Sequence, residues 1–295
     1  MPEHTLEAKA LAASMGADYL EQDVVATSDG ELVVLHDIHL DRVTNVAEIF
    51  AGRCRDDGRY YVRDFSLHEI RQLTVHERQN ADGSNVYPGR YQGTEKFRVL
   101  SFSEELELVA TLSEKHGRLI GVYPEIKSPK WHKEDGFDMT PSFLSILNEH
   151  GYGAHGDPIY VQCFDADELV RVRNDLGCEM KLIQLIGENS WGESDTDYND
   201  LKSEQGLSKL AKIVDGVGPW IEQLYSVTGV GPSDSGFVEI AHENGLAVHP
   251  YTFRQDDLPP GFADFNELMA FAICELSIDG VFTDYPDLAK LAISR

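Results

Sequence analysis

From residue 119 onward, short runs of β-branched and aromatic residues alternate with amphipathic segments at an interval of about 30–40 residues, the beat of repeated βα units in a parallel sheet. The runs are 119–126 (LIGVYPEI), 158–164 (PIYVQCF), 180–186 (MKLIQLI), 213–217 (IVDGV), 246–251 (LAVHPY) and 279–284 (DGVFTD). Helical patterns lie between them, such as 165–175, opened by Asp165 as a cap, and 233–244, closed by Gly245. An earlier run at 18–25 belongs to the same series and makes seven strands, and 102–116 reads as a long helix. The pattern predicts an α/β chain.

Ahead of the first strand, Thr5 to Ser14 reads as a helix capped by Thr5, with Leu6, Ala10 and Leu11 at helical spacing. In a closed barrel of eight strands the helices follow strands, so the chain is expected to begin partway through its first unit. The beat breaks between about residues 38 and 100, where Gly, Asp, Asn, Arg and Tyr crowd together. A connection of that length without regular periodicity is usually functional or disordered, and a floppy surface loop is the bland alternative. It is read as an excursion over the mouth of a barrel that shapes the pocket, with a short helix at 66–73 capped by Ser66. The length of 295 residues favours a single domain over 1–295.

The charge narrows the field of partners. With 51 acidic against 25 basic residues the net charge is −26, which argues against nucleic acid, since phosphate backbones need clustered Lys and Arg. No window approaches the roughly 18 uninterrupted apolar residues of a membrane span, so no stable membrane insertion is expected. Cys54, Cys163, Cys178 and Cys274 form no C-x-x-C pair, which disfavours a structural zinc site. Cys163 and Cys274 sit in apolar runs and are expected to be buried, while Cys54 is expected in an exposed loop.

The chemistry gathers at strand ends. Alternation along 18–25 points Glu21 and Asp23 to one side, and Glu125 ends the strand 119–126, so three carboxylates suit a hard cation such as Ca²⁺, Mg²⁺ or Mn²⁺. Asp29-Gly30 reads as a hairpin turn that folds 31–35 back and sets His36 beside Glu21 and Asp23. A histidine there can move a proton on a phosphodiester, and Lys127, two residues beyond Glu125, can offset charge on phosphorus. The alternatives are a structural histidine and a plain Lys127 salt bridge. Phe164 and His249 to Thr252 also end strands and could line a pocket or simply pack. His4, His39, His76, His116 and His132 have no comparable placement and are expected mostly at the surface.

The stretch from Pro2 to Thr44 (PEHTLEAKALAASMGADYLEQDVVATSDGELVVLHDIHLDRVT) resembles the N-terminal signature of the glycerophosphodiester phosphodiesterases. The likeness continues through RYYVRDFSLHEI, YPEIKSP, YVQCFDADEL, HPYTFR and FTDYPD, and is strongest to the longer, periplasmic bacterial type. The resemblance implies a TIM barrel with an insertion after its second strand and a divalent cation, usually calcium. It also implies hydrolysis of a small-molecule glycerophosphodiester, such as glycerophosphocholine or glycerophosphoethanolamine, to sn-glycerol 3-phosphate and an alcohol, within glycerol and phospholipid metabolism. Residue by residue it makes Glu21, Asp23 and Glu125 the metal ligands, His36 an acid/base histidine and Lys127 a substrate contact. Phe164 and Tyr251 join as pocket residues, and Glu3 supports the active-site end.

One departure stands out. The family's first strand and its His-Arg-Gly normally precede Pro-Glu, and His4, which follows the glutamate, is not a replacement for that histidine. Loss of one of two acid/base histidines would cost roughly 10²–10⁴-fold. The expectation is that the natural protein starts earlier and is exported to the periplasm. The chain as written carries no export signal and would stay in the cytoplasm. The competing reading is a non-catalytic barrel that binds glycerophosphodiesters or calcium.

Overall fold

The computed structural model describes residues 1–229 and 231–294. The chain divides into two compact units, Met1–Ser14 with Asp18–Ile159, and Met15–Ala17 with Tyr160–Arg295.

In the first unit, helix α1 (Leu6–Ser14) starts at Thr5, whose hydroxyl accepts from the Ala8 N–H at 3.3 Å and donates to the Pro2 carbonyl at 2.8 Å. Strand β1 (Tyr19–Ala26) turns through Asp29 and Gly30 into β2 (Leu32–Val34), antiparallel to it with Val24 opposite Val34. Gly30 carries φ +84°, the left-handed conformation this turn demands. The expected hairpin is therefore present. Helix α2 (Phe102–His116) has a reciprocal Ser101/Glu104 capping box and ends at Gly117 with φ +61°, matching the predicted span. It leads into β3 (Gly121–Ile126), which pairs parallel with β1 so that Asp23 lies opposite Glu125. Helices α3 (Pro129–Glu134) and α4 (Met139–Glu149) follow.

The segment 38–100 is neither featureless nor loosely attached. Leu40, Val43, Val46, Tyr60, Val62, Phe65, Ile70, Leu73, Val75, Phe97 and Val99 form a buried cluster completed by Val25, Val33 and Leu35 of the hairpin. Its predicted helix shrinks to one capped turn, Leu67–Ile70. Its apolar residues follow neither a period of 2 nor one of 3.6, so its core left no periodic signal in the sequence.

In the second unit, β4 (Tyr160–Cys163), α5 (Ala166–Asn174), β5 (Lys181–Ile186), α6 (Glu204–Leu210) and β6 (Gly216–Pro219) alternate as predicted. A hairpin follows, β7 (Tyr225–Thr228) against β8 (Gly231–Asp234), then α7 (Phe237–Glu243) and β9 (Ala247–Val248). The strand order is β4-β5-β6-β9, all parallel. Helices α8 (Phe265–Ala270) and α9 (Pro286–Ile293) complete the unit.

Four expectations need correction. The helix expected from 233 begins at Phe237, because 231–234 is spent on the hairpin. The strand expected at 213–217 shifts to Gly216–Pro219, because Ile213 and Val214 still donate to the Leu210 carbonyl and close α6. Residues 279–284 lie beside 248–253 through Asp279 N to Val248 O and Phe282 N to Pro250 O, without becoming a regular strand. Cys274 is exposed, not buried, because Phe265, Leu268, Met269, Phe271 and Ala272 occupy the inward side of its segment. Cys54 is exposed and Cys163 buried, as expected.

Candidate active site

The parallel register sets the site. Asp23 and Glu125 are directly opposed on neighbouring strands and Glu21 shares their face, so three carboxylates converge. Asp23 and Glu125 are almost fully buried, at 2% and 4% exposure. Just past β3, Lys127 places its Nζ 3.2 Å from Glu125 Oε1 and 3.8 Å from Asp23 Oδ1. The Leu35 N–H donates to the Asp23 carbonyl at 2.8 Å, which delivers His36 to the same place. Asp37 turns aside to His39, 2.8 Å from its Nδ1.

His4 also belongs to this group. It is buried, and its Nε2 lies 2.8 Å from Asp23 Oδ2. Its ring is 6.5 Å from that of His36. The expectation of a surface histidine is corrected here: α1 packs beside β1, and the turn before it holds His4 at φ +54° so that its ring points inward. The structure also brings in three residues that the sequence reading passed over. Lys9 is buried on α1, Glu105 is buried on α2, and Arg78 from the 38–100 segment is ion-paired to Glu3. Glu105 occupies the apolar stripe of α2 with Leu106, Val109 and Leu112, a signal the sequence does contain, whereas Lys9 gave none, because Leu6 and Leu11 of α1 are exposed and Lys9 and Ala13 face inward instead. Arg78 had no such signal.

Charge balance in the site is strained. Burial and then the Asp23 charge push Glu21 up to about 8. Glu125 is raised well above the usual carboxylate range, chiefly by burial and by the neighbouring Asp23 against the pull of Lys127. Asp23 stays well below its ordinary value despite burial, held there by Lys127, His36 and His4. His36 is exposed, and desolvation and the Lys127 charge lower it to about 4. It is neutral at pH 7. For His4, burial and the Lys9 charge pull downward, but the hydrogen bond and charge of Asp23 prevail and the net shift is upward. Glu3 is lowered despite burial, first by Arg78 and then by His36 and His4.

Two of the three converging carboxylates, half-buried Glu21 and buried Glu125, are driven toward their protonated forms and mark a place short of positive charge. An all-oxygen donor set from Glu21, Asp23 and Glu125 fits a hard divalent cation, which would oppose those shifts. The tightest potential ligand group among the described residues is His4, Glu21 and Asp23, with donor atoms within 4.8 Å of one another. Glu125 instead turns its Oε1 to Lys127.

His132 supports the site from behind. Expected at the surface, it is fully buried, because its Nε2 accepts from the Ala26 N–H at 3.1 Å while Nδ1 faces the Ser128 carbonyl at 3.0 Å. It thereby ties the end of β1 to the residue after Lys127. In the second unit Phe164 and Tyr251 pack edge to face, 5.9 Å between centroids, and the Tyr251 hydroxyl donates to the Ile186 carbonyl at 3.0 Å. His249 is buried against Tyr160, a packing role.

Residues 1–288 match the Glycerophosphoryl diester phosphodiesterase family. The chain belongs to this family. It is 38% identical over 97% of its length to a glycerophosphodiester phosphodiesterase of Haemophilus influenzae, covering 85% of that protein. It is 35% identical over 98% of its length to one of Treponema pallidum, covering 87%. A phosphodiesterase of Oleispira antarctica, solved with its product sn-glycerol-3-phosphate, aligns with a TM-score of 0.65 at 20% identity over 100% of this chain and 92% of that one. That likeness shows the fold, the α/β TIM barrel of the glycerophosphoryl diester phosphodiesterases. Family membership makes the chain a phosphoric diester hydrolase.

Proposed function

We propose that the chain hydrolyses glycerophosphodiesters to sn-glycerol 3-phosphate and an alcohol, aided by a divalent cation, with calcium the first choice. The observation that carries this reading is the buried Asp23/Glu125 pair, facing Lys127 and joined by His36. Glu21, Asp23 and Glu125 would hold the cation, which supplies positive charge against the phosphate oxygens. Lys127 keeps an ammonium at the rim of the carboxylate group, where it can offset charge growing on a non-bridging oxygen. His36, neutral at pH 7, can act as general base and accept the proton that the attacking nucleophile gives up as it bonds to phosphorus. Glu3 holds the Arg78 guanidinium near this centre.

The reading includes the place and metabolism that the resemblance implies, a periplasmic enzyme of glycerol and phospholipid turnover. Among the described residues no helix is long and apolar enough to cross a membrane. The test is release of sn-glycerol 3-phosphate from glycerophosphocholine and glycerophosphoethanolamine, with added calcium and with chelator. Cation-dependent release supports the reading. Tight substrate binding without release would favour the non-catalytic binder instead.

A further inference from the structure

Lys9 presents a physical puzzle. It lies on the buried face of α1, and the charge it meets, Glu105, lies on the buried face of α2 at 0% exposure. The two approach to 3.1 Å. Neither oxygen of Glu105 has a hydrogen-bond partner among the described residues, so its carboxylate serves nothing there except as counter-charge to Lys9. A buried pair of this kind is weak evidence for stability, because well-packed apolar residues usually do as well. Its contacts point elsewhere. The Lys9 Nζ donates to the backbone carbonyl of Glu21, and it stands 3.4 Å from His4 Nδ1.

An ammonium can only donate hydrogen bonds. Facing His4 Nδ1, it favours the neutral ring with its lone pair on Nδ1 and its hydrogen on Nε2, the atom 2.8 Å from Asp23 Oδ2. One ammonium thus fixes both the main chain between Glu21 and Asp23 and, through His4, one oxygen of the Asp23 carboxylate. His4 accepts the left-handed φ of +54° to make this contact, a conformation uncommon for a residue with a side chain.

We propose that Lys9 is a positioning residue for the carboxylate centre, with Glu105 as its buried counter-charge. It aims Asp23 through His4, and it holds the β1 main chain at Glu21. The inference rests on the reading of Glu21, Asp23 and Glu125 as cation ligands, and it adds the layer that orients them.

The decisive variant is the double substitution Lys9→Met with Glu105→Leu, which leaves no unpaired buried charge, compared with the parent chain and with Lys9→Met alone. Two readouts are taken. Calcium alone is titrated calorimetrically, and the imidazole ¹H–¹⁵N spectrum of the metal-free protein is recorded, with His4 assigned through His4→Gln. The expected result is a double variant that melts close to the parent, binds calcium about 10–100-fold more weakly and shows a shifted His4 Nδ1 ¹⁵N signal, since that is the ring nitrogen that loses the ammonium. Parent-like calcium affinity and an unchanged His4 signal in the double variant would overturn the inference and leave the pair as packing between α1 and α2. No calcium binding by the parent would overturn the cation reading itself, and this inference with it, before any variant is compared.

Discussion

Asp23 lies directly across the sheet from Glu125, and the Lys127 ammonium reaches both, at 3.8 Å and 3.2 Å. Parallel pairing between β1 and β3 therefore does more than build the sheet. A slip of one residue would turn Glu125 to the opposite face and separate it from Asp23, so the register that buries Leu20, Val24 and Ile126 is the same one that assembles the site.

Glu125→Gln is predicted to weaken calcium binding and activity together, by at least 10–100-fold on the scale seen even for residues behind a metal ligand. In chelator the same variant should be no less stable than the parent. The carboxyl of Glu125 is raised in the folded state, so folding is penalised above its unfolded pKa, and a neutral amide removes that penalty. Calorimetric titration and thermal melts check both halves. Unchanged calcium affinity would remove Glu125 from the ligand set.

Calcium should raise the melting temperature. At about 100 times its dissociation constant a ligand adds roughly 2.7 kcal/mol, a rise of several degrees for a chain of this size. Chelator should reverse it. A melt indifferent to calcium, magnesium and manganese would argue against a resident cation.

Arg78→Ala is predicted to raise KM roughly tenfold, the worth of one charge-assisted hydrogen bond, with a smaller change in kcat. The guanidinium meets one carboxylate, Glu3, among the described residues, and its remaining N–H groups are open to an anion. Steady-state kinetics on glycerophosphocholine decide the matter, and a KM equal to that of the parent would confine Arg78 to holding Glu3.

Stability should fall as pH drops from about 6.5 toward 4, in part through His132. Burial lowers this histidine to about 4, so between the two values the unfolded chain binds a proton that the folded chain does not. The contribution is present above the unfolded pKa and lost as pH falls, up to about 3 kcal/mol. His249 is lowered to about 4 in the same way. Urea titrations at pH 7 and pH 5 should show a smaller difference in His132→Phe than in the parent, with a lower baseline because the Ala26 N–H loses its acceptor.

The elements that could be read in advance are those in which one period rules locally. α2 was legible because its cap, its apolar stripe and its terminal glycine agree, and β1 with its turn because alternation ends at Asp29-Gly30. The short segments failed where a neighbour decides the outcome, as at 213–217, where α6 keeps two residues for its last turn. Within the site, Glu21, Asp23, Glu125, His36 and Lys127 could be placed from strand ends. His4 could not, because its inward turn depends on a left-handed backbone and on Asp23, neither of which is written in local pattern. Arg78 depends on the core of 38–100, which has no period.

That core has an evolutionary consequence. Because Val25, Val33 and Leu35 complete it, the stretch that precedes α2 is no interchangeable cassette. A relative's version could be grafted only with matching residues at those three positions, and two of them flank the turn that leads to His36. Diversification of substrate range in this lineage is therefore expected to proceed by substitutions within the segment, with wholesale exchange or deletion disfavoured, since either would expose the hairpin that leads to His36.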